Sequence, residues 1–354
     1  MFQMKNINEV IQKPYKPNYF AVGNIKLCFF DIIYKNNKIY LIMPIYNSAV
    51  SPNSITVSIN NIPLKLTESH VKDSNEPILI YIYEYISPPN HIVKVNIKLI
   101  NNMVKTYELR HIYTIRKTNN SNFLALTTLF KHDYYLFPIF YNYYKSQGVQ
   151  HFYMYYNGVI TPEIIKIFNK NDVTLVEWHF HYWNPRGVKY PHHAQMGQMH
   201  HALYKYGKDV YDYMIFCDLD EYLHIPKNKF VVSPALTQGN DTNQTLLQFI
   251  KNNTNIDIFG FCNYWANTIN DNIPDIPYLP NKFLAVSEPT EYLERSKNIY
   301  KVSSINTIGI HQIGYNFYSE LSSITDLNMY HFYKWSSKTR VIDNCTNDVD
   351  LSIN

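Results

Sequence analysis

Apolar and polar residues change their rhythm once along this chain. Between about Tyr19 and Ile115 they alternate with period two in short runs: Ile25–Tyr34, Lys38–Tyr46, Ser54–Ile59, Ile78–Tyr85 and His91–Ile100. That is the spacing of strands with one face on a core. Turn formers separate the runs, at Lys35-Asn36-Asn37, Ser51-Pro52-Asn53, Asn60-Asn61 and Ser87-Pro88-Pro89-Asn90. No helical period interrupts them, so the pattern predicts a small antiparallel β-sandwich of immunoglobulin-like size. This part carries no catalytic constellation and reads as an accessory or packing domain.

Past the polar stretch Arg116–Ser121 the period lengthens. Phe123–Phe130 is a near-continuous apolar run, as in a parallel strand covered on both faces. A helix is predicted over Tyr134–Gln147 with Gly148 as its left-handed cap, then a strand at His151–Tyr156 and a helix at Pro162–Asn169. A strand at Val173–His181, a helix at His192–Tyr206 closed by Gly207, and a strand at Tyr213–Cys217 follow. Alternation of this kind predicts an α/β domain with a mostly parallel sheet. The division expected is a β-sandwich over residues 1–118 and an α/β domain over residues 119–354. Open parallel sheets bind ligands beyond the carboxyl ends of their strands. Asp218-Leu219-Asp220-Glu221 stands at such an end.

Two carboxylates at i and i+2, leaving a buried strand, are placed to hold a divalent cation between protein and phosphate. Such a cation neutralises charge that builds on a departing nucleoside diphosphate. Glu221 is either a third acidic ligand or a group that fixes the loop. A free-standing Asp-x-Asp is most often a solvated turn; here the preceding strand and the four-strand α/β run supply the context.

Composition trims the alternatives. With 46% hydrophobic and 17% charged residues, the chain packs rather than remaining disordered, and its 354 residues suit two domains. The 33 tyrosines accompany abundant Ile, Lys and Asn and only 10 glycines. That is the bias of an AT-rich coding sequence, so tyrosine content says nothing of sugar stacking. A net charge of +4 without any run of five basic residues excludes a dedicated nucleic-acid binder. Cys28, Cys217, Cys262 and Cys345 form no CxxC pair and imply neither a zinc ribbon nor a disulfide framework. The first twenty residues lack the apolar core of a signal peptide, and no apolar stretch is long enough to span a bilayer. The expected location is therefore cytoplasmic. Oligomeric state is not legible.

From Phe123 to about Arg340 the order of landmarks resembles the family 92 glycosyltransferases and their GT-A relatives with a family-2-like core. Asp133 precedes the amphipathic helix YLFPIFYNYYKSQGV; Val176-Glu177-Trp178 ends a strand; Gln195, with Gln198 as rival, opens a helix. YMIFCDLDEYL is similar to the family's aromatic-rich "DxDEFL" segment, with Tyr222 for Phe. Phe259-Gly260, Lys297-Asn298-Ile299-Tyr300-Lys301, Ile310-His311 and Tyr330-His331-Phe332-Tyr333 follow in order. His132-Asp133 stands where the family shows an acidic pair. The resemblance implies a GT-A catalytic domain, a nucleotide-sugar donor, a UDP-sugar by expectation, and a glycan or other hydroxyl acceptor. It also implies Mn²⁺ or Mg²⁺ as cofactor and inversion at the anomeric carbon.

It further implies that Asp218 and Asp220 hold the metal, completed by a late histidine, His331 or His311. Asp133 and Asn157 then meet uracil and ribose, Gln195 the donor, and Lys297 and Lys301 the diphosphate. An inverting transferase needs a carboxylate base for the acceptor hydroxyl. Asp271 is the nominal choice, in the loop after Phe259-Gly260, with Trp265 nearby as a possible face for a sugar. The histidines His179, His181, His192, His193, His200 and His201 meet no zinc spacing, so a zinc hydrolase ranks last. The alternative to the transferase is a non-catalytic carbohydrate-binding protein on a degenerate glycosyltransferase core.

Overall fold

The structure is a computed structural model that describes residues 14–16, 18–22, 25–44, 54–72, 78–88, 91–99, 103–114, 122–181, 193–226, 244–267, 282–286, 295–311, 321–333, 335 and 347–350. Its N-terminal half begins with a hairpin, β1 (Asn18–Val22) and β2 (Ile25–Phe29). Eight strands follow: β3 (Asp31–Lys35), β4 (Lys38–Met43), β5 (Ile55–Ile59), β6 (Ile62–Pro63), β7 (Leu66–Lys72), β8 (Ile78–Glu84), β9 (Ile92–Leu99) and β10 (Val104–Arg110). They form two four-stranded antiparallel sheets, β3-β4-β8-β7 and β10-β9-β5-β6, whose facing apolar residues share one core. The run expected as one strand over Ile25–Tyr34 is two. Phe30 bends out between β2 and β3 and packs its ring on Trp178 and Phe180. Strands β7 and β10 carry little apolar signal because they are sheet edges, where charged residues blunt the unpaired side.

The second half is a mixed α/β layer. Strands β11 (Leu124–Phe130), β12 (His151–Tyr156), β13 (Val173–Glu177) and β14 (Tyr213–Phe216) run parallel in the order β13-β12-β11-β14. Their connections hold α1 (Phe137–Ser146), α2 (Pro162–Phe168) and α3 (Ala194–His201). Gly148, at φ 90°, follows the C-cap of α1, and a Cβ there would meet Leu247. The sheet then turns antiparallel, through β18 (Lys297–Lys301) against β14 and β16 (Ile258–Asn267) against β18. β17 (Lys282–Val286) and β20 (Asn347–Asp350) extend that edge, while β15 (Glu221–His224) pairs with β19 (Ser323–His331). The sheet is therefore mixed rather than mostly parallel, and β19 itself runs antiparallel to β15 and parallel to β16. A further helix, α4 (Leu246–Lys251), opens with a capping box at Thr245 and Gln248.

The two halves meet on α3. In β8, Leu79, Tyr81 and Tyr83 face the core between the two N-terminal sheets, whereas Ile78, Ile80 and Ile82 face the opposite way. The second set packs with Ala194, Met196, Met199, Ala202 and Leu203. This explains why β8 is apolar at six consecutive positions. All eight residues of α3 are buried. The helix predicted to Tyr206 changes to a π-helical turn over Ala202–Gly207. Lys35, fully buried, donates its ammonium to the carbonyls of Tyr204 and Lys208 at that turn's end, where a helix favours a cation. No helix among the described residues is long and apolar enough to cross a membrane.

A buried polar network seals the junction. His201 Nε2 lies 2.9 Å from Asp31 Oδ2 and its Nδ1 lies 2.6 Å from the Tyr155 hydroxyl, while Lys205 reaches Asp31 and Tyr15. A neutral imidazole satisfies both contacts, donating to the carboxylate and accepting from the phenol. Burial pushes the His201 pKa down from 6.5 to about 4. Between those values the unfolded chain binds a proton that the folded chain refuses, so stability is lost as pH falls from 6.5 to 4. The loss from this group is expected to approach about 3 kcal/mol. Melting temperatures across that window will fall less steeply in His201→Gln, whose side chain does not titrate.

Candidate active site

The fourth parallel strand delivers the acidic motif. β14 ends at Phe216, and a tight turn, with Glu221 N–H donating to the Asp218 carbonyl at 3.2 Å, reverses the chain into β15. The Glu221 carboxylate folds back to accept from the Asp218 backbone N–H at 2.7 Å. Tyr144 of α1 secures the turn from beneath, donating to the Glu221 carbonyl at 2.9 Å and accepting from the Leu223 N–H at 3.0 Å.

Strand register then brings in the remaining groups. Glu221 of β15 pairs with His331 of β19, and His331 pairs with Trp265 of β16 on its other side. His331 Nε2 consequently stands 3.2 Å from Asp220 Oδ2, with the Trp265 ring 4.7 Å from the imidazole. Its Nδ1 lies 3.2 Å from Oδ1 of the buried Asn263. Lys297, at the start of β18, is 3% exposed and bridges Asp218 Oδ2 at 2.9 Å and Glu221 Oε2 at 3.3 Å. From α3, Gln195 donates to Asp218 Oδ1 at 3.3 Å and Gln198 donates to Thr127 Oγ1 at 2.6 Å. A small cavity lies between these side chains, lined among others by Thr128, Gln195, Gln198, Asp218, Lys297 and Ile310.

The electrostatics follow from burial and pairing. Burial raises the Glu221 pKa, against the opposing pull of Lys297. Burial acts in the same direction on Asp220, but the charge and hydrogen bond of His331 outweigh it and hold that carboxyl below its usual range. Burial opposes the Lys297 charge, yet Asp218 and Glu221 keep the ammonium above its ordinary pKa.

His331 Nδ1 faces Asn263 Oδ1 and its Nε2 faces a carboxylate oxygen of Asp220. In the imidazolium both N–H groups donate; once the Nε2 proton leaves, the same nitrogen and carboxylate oxygen are offered to a hard divalent cation, so Asp220 and His331 fit a metal. No three His, Cys, Asp or Glu side chains among the described residues converge as a metal group. Further oxygen ligands would come from phosphate and water, as Mg²⁺ commonly takes them.

Of the two late histidines, His331 meets the acidic motif. No described contact joins His311 to Asp218 or Asp220. Lys301 is not brought to the cluster: it lies at the far end of β18, opposite Tyr213, with its ammonium on the Thr254 carbonyl and near Asp257. Asn157 spends its amide hydrogens on the Trp178 and Phe180 carbonyls, tying the ends of β12 and β13 together. Asp133 stands before the 3₁₀ turn that leads into α1; the Tyr135 hydroxyl, 3.3 Å from it, is also within electrostatic reach of Asp220. Asp271 lies outside the described residues. Trp265 offers no free pair of faces for a sugar, since His331 lies against its ring and Arg295 over it.

The other histidines are separately employed. His200 accepts from the Ile308 N–H at 3.0 Å and donates to the Met196 carbonyl, His179 meets Glu177, and His201 belongs to the interdomain network. His192 lies outside the described residues. Asn263 and Arg295 escaped sequence reasoning, because neither carries a motif and both depend on which strands become neighbours.

A family model described as Glycosyltransferase family 92 matches residues 126–352, more than half of the chain. No curated protein matches. Among solved structures, the 2,6-sialyltransferase of Vibrionaceae Photobacterium sp. JT-ISH-224, in a ternary complex with CMP and lactose, shows 14% identity. The alignment covers 40% of this chain and 29% of that one at a TM-score of 0.14, a likeness too slight to bear on fold or function.

Proposed function

This chain belongs to glycosyltransferase family 92 and is a glycosyltransferase, and on that premise we propose that it is a metal-dependent, inverting enzyme of GT-A architecture that uses a nucleotide sugar, a UDP-sugar by preference. The observation that carries the reading is the convergence of Asp218, Asp220, Glu221, Lys297 and His331 at the carboxyl end of a parallel strand. Both Asp218 and Asp220 belong to the donor site. Asp220 and His331 hold Mn²⁺ or Mg²⁺, and Lys297 keeps the Asp218 and Glu221 carboxylates from repelling one another. The cation, when bound, neutralises charge on the leaving diphosphate.

The remaining work falls to the chain's own side chains. Gln195 and Gln198 fix Asp218 and Thr127 along the cavity wall. Thr128, whose buried hydroxyl has no partner among the described residues, faces the same cavity and supplies a hydrogen bond to the donor. Asp133 and Tyr135 border the nucleoside side. For the acceptor proton we retain Asp271, placed by sequence alone. Strands β3 to β10 serve as the antiparallel sandwich that backs the catalytic domain.

The decisive experiment incubates the protein with a panel of nucleotide sugars with and without Mn²⁺, follows nucleotide release and transfer, and reads the product anomer by NMR. A silent panel would reject catalysis and favour a glycan-binding protein; turnover unaffected by chelation would reject the metal.

Asn263 gives a separate check. Groups that fix a ligand histidine's tautomer typically contribute 10- to 100-fold to metal affinity, so Asn263→Ala is expected to weaken Mn²⁺ binding by roughly that factor. Titration followed by electron paramagnetic resonance measures it directly.

A further inference from the structure

We propose that a second cavity, at the junction of the two halves, binds a neutral sugar ring. It shares no lining residue with the cavity at the acidic motif. Neither nucleotide nor metal enters it, so this site stands or falls apart from the donor-site reading.

The cavity holds about 550 Å³, inside the range of roughly 300–1,000 Å³ typical of small-molecule sites. Three stretches far apart in sequence wall it: Pro14–Lys16, Phe29–Ile32 at the corner between β2 and β3, and Tyr107–Leu109 of β10. β3 and β10 are each the last strand of their sheet, so two sheet edges come together here. Among the described residues β10 pairs with β9 alone, and such an edge carries N–H and C=O groups that no strand answers. A border of three residues is short for a peptide docking as an added strand. It suits a compact ligand that brings its own hydrogen-bonding groups.

Asp31 is the fixed polar group of the wall. Its Oδ1 accepts from the Ile32 N–H at 2.8 Å, and its Oδ2 meets His201 Nε2 at 2.9 Å and Lys205 Nζ at 3.3 Å. A carboxylate offers about four acceptor positions, so one on Oδ1 remains beyond these three bonds. Burial opposes the charge, but Lys205 and His201 outweigh it and hold the carboxyl below its usual range.

Charge decides what ligand answers it. An anion meets the carboxylates of Asp31 and Glu108, and a cation meets Lys205 behind Asp31 and Lys16 in the wall, so a neutral hydroxyl is the donor that fits. The rest of the wall is aromatic: Tyr15, Phe29, Phe30 and Tyr107, with Phe29 and Tyr107 edge to face at 5.9 Å. A pyranose combines the two needs, with an apolar face of C–H groups and a rim of hydroxyls. The same wall residues hold α3. Phe30 lies against Gly197, Asp31 on His201 and Lys205, and the Tyr15 ring 4.7 Å from the His201 ring. A bound sugar therefore braces the helix that carries Gln195, and it raises the melting temperature by mass action.

The test is saturation-transfer NMR on the full chain, in chelator and without nucleotide, using the methyl β-glycosides of glucose, galactose and N-acetylglucosamine. At least one should receive saturation. Leu109→Trp, which fills the cavity from a half-buried wall position, should weaken that sugar by about tenfold or more. Hydrogen exchange on the unaltered protein needs no variant: the bound sugar should slow the amides of Phe29–Ile32 and Tyr107–Leu109. Where the melting temperature shows that Leu109→Trp does not fold, the exchange result decides. Saturation of none of the three sugars, equal binding by folded Leu109→Trp, or slowing confined to Tyr213–His224 would overturn the site. Nucleotide-sugar turnover with Mn²⁺ is scored separately, so loss of one result with the other intact shows which of the two readings has failed.

Discussion

Asp220→Asn is expected to lower sugar transfer by about two to three orders of magnitude, the scale seen when a group that stabilises transition-state charge is removed. The substitution keeps the shape of the side chain and deletes the charge that faces His331 Nε2 at 3.2 Å. The loss should appear chiefly in kcat, because the carboxylate acts through charge that develops as the sugar departs. Stability should fall as well, by less. The charge and hydrogen bond of His331 hold the Asp220 carboxyl below its usual range, so the ionised carboxylate stabilises the fold at neutral pH. Removing that charge leaves His331 without its partner, and the metal-free melting temperature is expected to drop. An Asn variant within a few-fold of the parent rate would show that Asp220 does not take part in the reaction.

The acidic motif and the strands before it were legible because their signals are local. A continuous apolar run of strand length, a capped helix and a strand ending in Asp-Leu-Asp need no knowledge of distant residues. The choice between His331 and His311 was different in kind. It depends on β15 pairing with β19 and on β16 pairing with β19, so that Glu221, His331 and Trp265 fall side by side. Nothing near His331 in sequence encodes that register. The same gap misplaced Lys301. Lys297 and Lys301 look equivalent in a basic strand, but they occupy opposite ends of β18, and its antiparallel pairing with β14 puts only the first beside Asp218. Edge strands β7 and β10 were missed for a simpler reason: with little to bury, their residues carry little period-two contrast.

The relation between the two halves was also invisible, because an apolar residue does not say which neighbour it will meet. β8 reads as a strand from a single core, yet it serves two: its odd-numbered positions face the N-terminal core and its even-numbered ones face α3. The site thereby depends on residues more than a hundred positions away. Gln195, which reaches Asp218, sits on a helix whose opposite side rests against the N-terminal sheet.

Phe30→Ala should expose that dependence. Phe30 is 3% exposed, packs on Trp178 and Phe180, and lies so close to Gly197 that a Cβ there would come within 2.3 Å of its ring. Removing a buried phenyl ring typically costs about 3–5 kcal/mol, and chemical denaturation will measure the loss. The consequence for the site is more specific. Gly197 follows Gln195 by two residues, so the space left by Phe30 lies against the helix that aims the Gln195 amide. Any settling of α3 into that space draws the amide from Asp218, and nucleotide affinity is expected to fall several-fold at temperatures where the variant remains folded. Gly197→Ala attacks the same contact from the other side by overfilling it, and about 1–3 kcal/mol is the usual scale for such a clash. Unchanged nucleotide affinity in a destabilised but folded Phe30→Ala protein would make the N-terminal sheets a mere cover. Loss of affinity in both variants would make them part of the framework that builds the donor site.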